Sequence, residues 1–198
     1  MNRIIIIVVV AVVILALGIY FCTRLVFSGT FDKKYTREEL VKNFVQHETD
    51  FADLVAYFKS HVSESKEQRV SFGLSKGDKV NLIISPAVVD PANKIIGGNN
   101  LTVNSPKLDS ALAALGWTNE TVKTLKDKLA KTNCDWIRTT EIYGGNPIEM
   151  YPNQSGWNSY CYHLFNAPVS DSVLQIHGKP IGDSEFGKRV FLDYSSGL

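Results

Sequence analysis

Val70-Ser-Phe-Gly-Leu74-Ser75-Lys76-Gly77-Asp78-Lys79-Val80-Asn-Leu-Ile-Ile84 decides the fold class. Val70, Phe72 and Leu74 alternate with small or polar neighbours, and Val80, Leu82 and Ile84 do the same. Period-two alternation puts one apolar face on each run, and the Ser-Lys-Gly-Asp segment between them is turn chemistry, so the stretch reads as a β-hairpin.

What lies on either side extends the pattern. Upstream, Thr36 followed by Glu39 is a capping-box signature. Leu40, Phe44, Phe51, Leu54, Val55, Phe58 and Val62 recur behind it at helical spacing and predict one long amphipathic helix over 37–62, with His47 inside its apolar stripe. Downstream, Asp90-Pro91 and Gly97-Gly98-Asn99-Asn100 predict a long loop. Ser105, Pro106 and Gly116 bracket a helix of about ten residues, and a second helix runs from Asn119 to Lys131. Strands are then expected near 135–143, 147–151, 157–165, 173–177 and 189–194, separated by Gly, Pro and Asn clusters. Segregated helices followed by successive short strands predict an α+β domain: an antiparallel sheet, with the long helix and the helix pair on one face.

The N-terminus is of another kind. Ile4 to Cys22 is 19 residues without a charge, flanked by Arg3 and Arg24. A helix of that length covers about 28 Å, close to the thickness of a bilayer's hydrocarbon core. The expected organisation is therefore a retained single-span anchor and short hinge over 1–29, then one soluble domain over 30–198, held on the extracytoplasmic side. The bulk of Tyr20, Phe21 and Cys22 argues against a cleaved signal, and Phe21 before Cys22 argues against a lipoprotein signal.

Charge narrows the partners. Of the chain's 21 basic residues, all but Arg3 and Arg24 fall beyond the anchor, against all 20 acidic ones. A domain this close to neutral carries no electrostatic footprint for nucleic acid. The helix pair around Gly116 resembles a DNA-reading helix-turn-helix, but Val122, Leu125 and Leu129 give its second helix an apolar face. Gly182-Asp-Ser-Glu-Phe-Gly187-Lys188 approaches a phosphate loop. Arg189 replaces the hydroxyl residue, and a strand rather than a helix is expected to follow, so no nucleotide cofactor is implied.

Catalytic signals are thin. Cys161 and His163 share one face of a strand, which is the beginning of a thiol site, but no local motif supplies a carboxylate to orient the imidazole. His47, His61, His163 and His177 are scattered, with no metal-ligand spacing. Cys134 and Cys161 form a candidate disulfide if the domain lies in an oxidising compartment.

The remaining feature is aromatic. Tyr143, Tyr151, Trp157, Tyr160 and Tyr162 crowd one region beside Asn153, Gln154 and Asn158. Rings offering rigid area and a polar tip, interleaved with amides, predict a binding surface for a protein or a glycan. The functional expectation is a single-pass membrane protein whose domain binds without catalysis. The alternatives are an enzyme with an unidentified site, or a membrane-tethered regulator using the helix pair.

Overall fold

The computed structural model describes residue 20 and residues 35–62, 68–86, 95–140, 147–152, 158–167 and 169–196. By internal contacts the chain divides into two units. One comprises Met1–Lys34 and Gln154–Trp157, of which Tyr20 alone is described; the other comprises Tyr35–Asn153 and Asn158–Leu198. Among the described residues no helix is long and apolar enough to cross a membrane. The expected span, Ile4–Cys22, lies outside them apart from Tyr20.

The larger unit is α+β. Its elements in chain order are α1 (Arg37–Gln46), α2 (Glu48–His61), β1 (Gln68–Leu74), β2 (Lys79–Pro86), β3 (Ile96–Thr102), α3 (Pro106–Leu115) and α4 (Asn119–Lys131). There follow β4 (Cys134–Thr139), β5 (Ile148–Pro152), β6 (Asn158–Leu164), α5 (Asp171–His177), a 3-10 turn (Gly187–Arg189) and β7 (Val190–Ser196). The seven strands among the described residues form one antiparallel sheet in the order β3-β2-β1-β4-β5-β6-β7. The hairpin pairs Val70 with Ile84 and Phe72 with Leu82, as alternation requires.

Helices α1 to α4 cover one face. Their apolar stripes meet the inward residues of every strand, in a core built around Phe44, Phe51, Phe58, Phe72, Leu82 and Tyr162. The end signals act as expected. Thr36 accepts from the Glu39 amide while the Glu39 carboxylate accepts from the Thr36 amide, and Gly116 closes α3 in the left-handed region at φ 67°. Trp117 then ties the helix pair to α2 by donating its indole N–H to the His61 carbonyl at 2.7 Å.

The expected long helix over 37–62 is two helices, broken at His47, whose φ of −118° and ψ of 20° leave the helical region. On one straight helix, residues seven apart are separated by about 10.5 Å along the axis. The break brings the Phe44 and Phe51 rings to 5.2 Å and packs both against Tyr162. His47 itself lies half-buried at the joint, its Nδ1 3.3 Å from Asp50 Oδ2.

Two further expectations are corrected. Residues 96–102, read as loop, are the edge strand β3. Gly97 and Gly98 hold φ of 88° and 156°, and a Cβ on Gly97 would fall 2.0 Å from the Leu82 carbonyl oxygen, so the glycines permit this pairing rather than break it. Residues 173–177, read as strand, belong to the helix α5. It packs Val173 against Phe165 and Phe191 in a small second cluster. Phe191 points away from the main core because its neighbours Val190 and Leu192 point into it. Helix α5 therefore lies on the face opposite α1 to α4.

Candidate functional site

That second face carries the densest chemistry in the described chain. Antiparallel pairing sets Arg138 of β4 beside Glu149 of β5, Glu149 beside His163 of β6, and Cys161 of β6 beside Asp193 of β7. Side chains opposite or diagonal on one sheet face are within reach of each other, and these residues use that reach. Arg138 Nε donates to Glu149 Oε2, and Arg138 Nη2 lies 2.5 Å from the Tyr151 hydroxyl. Tyr151 in turn donates to Glu149 at 2.9 Å, and the guanidinium lies 5.0 Å from the centre of its ring.

His163 stands between two carboxylates. Its Nδ1 is 3.6 Å from Glu149 Oε1, an ion-pair distance too long for a hydrogen bond, and its Nε2 is 3.4 Å from Asp193 Oδ2. Asp193 also meets Nδ1 of His177, brought down from α5. The two imidazole rings lie 5.4 Å apart. Glu149 is 4% exposed, His163 7% and Cys161 1%. Burial lowers the His163 pKa; Glu149 and Asp193 oppose that shift, and His177 and Arg138 add to it. Burial, reinforced by the Glu149 carboxylate, pushes the Cys161 thiol well above its ordinary range.

The structure thus supplies the carboxylates that sequence reasoning missed beside Cys161 and His163. It also removes the nucleophile from reach, since a buried thiol kept protonated is inert. No group of three or more His, Cys, Asp or Glu among the described residues is arranged to hold a metal ion.

Sequence reasoning named Cys161, His163 and Tyr151 but not Arg138, Glu149, Asp193 or His177 as partners. The available signal was the alternation of β5, which places Glu149 and Tyr151 on one face, combined with antiparallel neighbours. His177 was hidden because its segment reads as strand, although Ser170-Asp171 and Gly178 are helix start and stop signals.

The expected aromatic surface is dispersed. Tyr151 lies within the polar array. Tyr162 faces the opposite side and is fully buried, its hydroxyl donating to the Leu40 carbonyl at 2.8 Å, so it is a core residue and not part of any surface. Tyr160 is half-buried at the sheet margin, with its ring 5.2 Å from that of its cross-strand partner Tyr194, which is 57% exposed. Tyr143, Asn153, Gln154, Trp157 and the side chain of Asn158 lie outside the described residues.

The candidate disulfide is also corrected. Cys134 and Cys161 are both buried free thiols. Cys134 sits in the main core, whereas Cys161 is on the polar face two strands away, with β5 between them. Adjacent strands are about 4.8 Å apart, so the pair is too far separated and points in opposite directions.

Comparison with protein-family models, with curated proteins and with solved structures finds no match to this chain.

Proposed function

We propose that the protein is a single-pass membrane protein, anchored through Ile4–Cys22, whose domain over 30–198 binds a macromolecular partner without catalysing a reaction. The supporting observation is the Tyr160–Tyr194 pair. Tyr194 stands exposed on β7, the last strand of the sheet, edge-on to Tyr160 of the neighbouring strand. Among the described residues no strand pairs with the outer side of β7, and an exposed ring on such an edge combines two features that partners use, an aromatic anchor and available backbone groups. The carbonyl of Val190 accepts from Ile181, so it points away from β6. Alternation turns the backbone groups of Leu192 and Tyr194 the same way. That edge favours a protein partner over a glycan, because another backbone matches the spacing.

The enzyme alternative has one observation behind it, the two carboxylates around His163, and one against it, the inaccessible Cys161. The test uses the full-length chain in its own membranes after a high-pH wash, with a photo-crosslinking residue at Tyr194 or, as control, at exposed Lys123. Retention in the washed membrane and a discrete adduct from position 194 only are expected. A shortened protein in the aqueous fraction would overturn the anchor, and the lack of an adduct at 194 would overturn the edge as the binding surface.

A further inference from the structure

The sheet ends in two edges that differ in kind. Among the described residues no strand pairs with the outer side of β3 or of β7. Strand β3 is blunted: Gly97, Gly98 and Asn100 all hold positive φ, and its pairing with β2 shifts register between Val80 and Leu82. Such irregularity hinders edge-to-edge pairing. Strand β7 has none of these devices. Its pairing with β6 runs unshifted from Val190 to Ser196, and it holds no proline, no lysine and no residue of positive φ.

The outer backbone groups of β7 complement themselves. Phe165 donates its amide to the Arg189 carbonyl, so positions 189, 191, 193 and 195 bond to β6 and the even positions point outward. The Val190 amide donates to Gly187 and its carbonyl accepts from Ile181, which leaves Leu192, Tyr194 and Ser196. We infer that the partner of this edge is a second copy of the chain, paired β7 to β7 about a two-fold axis at Tyr194. The inference rests on the reading above, an anchored domain that binds through β7, and names its partner.

Charge and symmetry favour a copy over a foreign strand. Asp193 is the one charged residue of β7, held by His163 and His177. Pairing centred on Tyr194 sets Asp193 across from Ser195 of the second copy, whereas centring on Asp193 would set two carboxylates face to face. The same register puts the two Tyr194 rings side by side and extends the edge-on Tyr160–Tyr194 pair into a row of four. A two-fold axis between antiparallel edge strands stands perpendicular to the sheet. The helix layers of both copies, with α1 where the larger unit begins, therefore fall on one side, as two chains held in one membrane require. A blunted β3 cannot accept β7 head to tail, so the pairing closes as a dimer instead of growing into a filament. So short an edge buries less than the roughly 1,200 Å² of a stable interface, and confinement to one membrane supplies the missing concentration.

The test co-expresses two full-length copies with different tags, one of them carrying the photo-crosslinking residue at Tyr194, and irradiates the washed membranes. An adduct of twice the chain mass that bears both tags is expected. An adduct of one tagged copy with another protein overturns the second copy while leaving the edge a binding surface, and no adduct at 194 overturns the edge itself. The register is read by mild oxidation of a Cys22→Ser chain. Facing residues of an antiparallel pair have Cα atoms about 5.5 Å apart or closer, within disulfide reach, so Tyr194→Cys should link to its own copy and double the mass on a non-reducing gel. The two 196 positions would stand four residues, about 13 Å, apart along the strands. Ser196→Cys should therefore give about tenfold less linked product or none. Equal linking at 194 and 196, or none at 194, overturns the two-fold register.

Discussion

Trp136 fills the space that a side chain at Gly73 would need. The two residues are cross-strand partners between β4 and β1, and a Cβ on Gly73 would fall 2.5 Å from Cδ2 and 2.6 Å from Cε2 of the indole. Those are ring-fusion atoms, which cannot swing aside as a chain end does. Gly73→Ala gains about 0.5–1 kcal/mol by restricting the unfolded chain but meets an overpacking cost of about 1–3 kcal/mol. Net destabilisation by denaturant melting is expected. Adding Trp136→Ala should recover part of it in a double-mutant cycle, and strict additivity would contradict the contact.

Tyr162 and Tyr194 should separate a core ring from a surface ring. Tyr162→Ala opens a cavity between α1, α2 and the sheet and should cost about 3–5 kcal/mol. Tyr162→Phe keeps the ring, loses the bond to the Leu40 carbonyl and should cost about 1 kcal/mol. Tyr194→Ala, on an exposed edge, should change stability by no more than about 0.5 kcal/mol. Thermal melts of the three variants rank them, and equal losses at 162 and 194 would refute the assignment.

Much of this architecture is legible locally. The hairpin, the capping box at Thr36, the Pro106–Gly116 helix and strands β4, β5, β6 and β7 follow from alternation and end signals within a few residues, whereas 173–177 reads as strand and is helix. What is not legible depends on tertiary context. The break at His47 is decided by where Tyr162 receives two phenylalanine rings. Strand β3 hides behind glycines that look like a turn, because only the Leu82 carbonyl facing Gly97 explains them. The polar array is hardest to read. Arg138, Glu149, His163 and Asp193 lie on four strands, and only sheet order brings them together.

Both domain thiols should stay free and unreactive in the native protein. Burial pushes each above the ordinary thiol range, so almost no thiolate exists at neutral pH. Maleimide labelling of the full-length chain without reductant, followed by peptide mapping, should leave Cys134 and Cys161 unmodified until denaturant is added, then label both. Labelling that requires a reductant as well would reveal a disulfide and contradict the strand order.

Asp135 sits at a shift of register between β4 and β5, where one carboxylate oxygen is buried with no hydrogen-bond partner among the described residues. Burial raises its pKa to about 6. The unfolded chain holds this group near 3.9, so between roughly pH 3.9 and 6 the native state binds more protons than the unfolded one. Stability contributed by this residue therefore falls as pH climbs through that window and stays lost above it. Asp135→Asn removes the charge and keeps the shape. Its stability relative to the parent should be near zero at pH 3 and grow to about 1 kcal/mol by pH 7, a figure reduced for the group's partial contact with solvent. Urea melts at pH 3, 5 and 7 provide the measurement. A constant difference across the three would mean that the Asp135 carboxylate is not desolvated, and a growing advantage for the parent would reverse the sign.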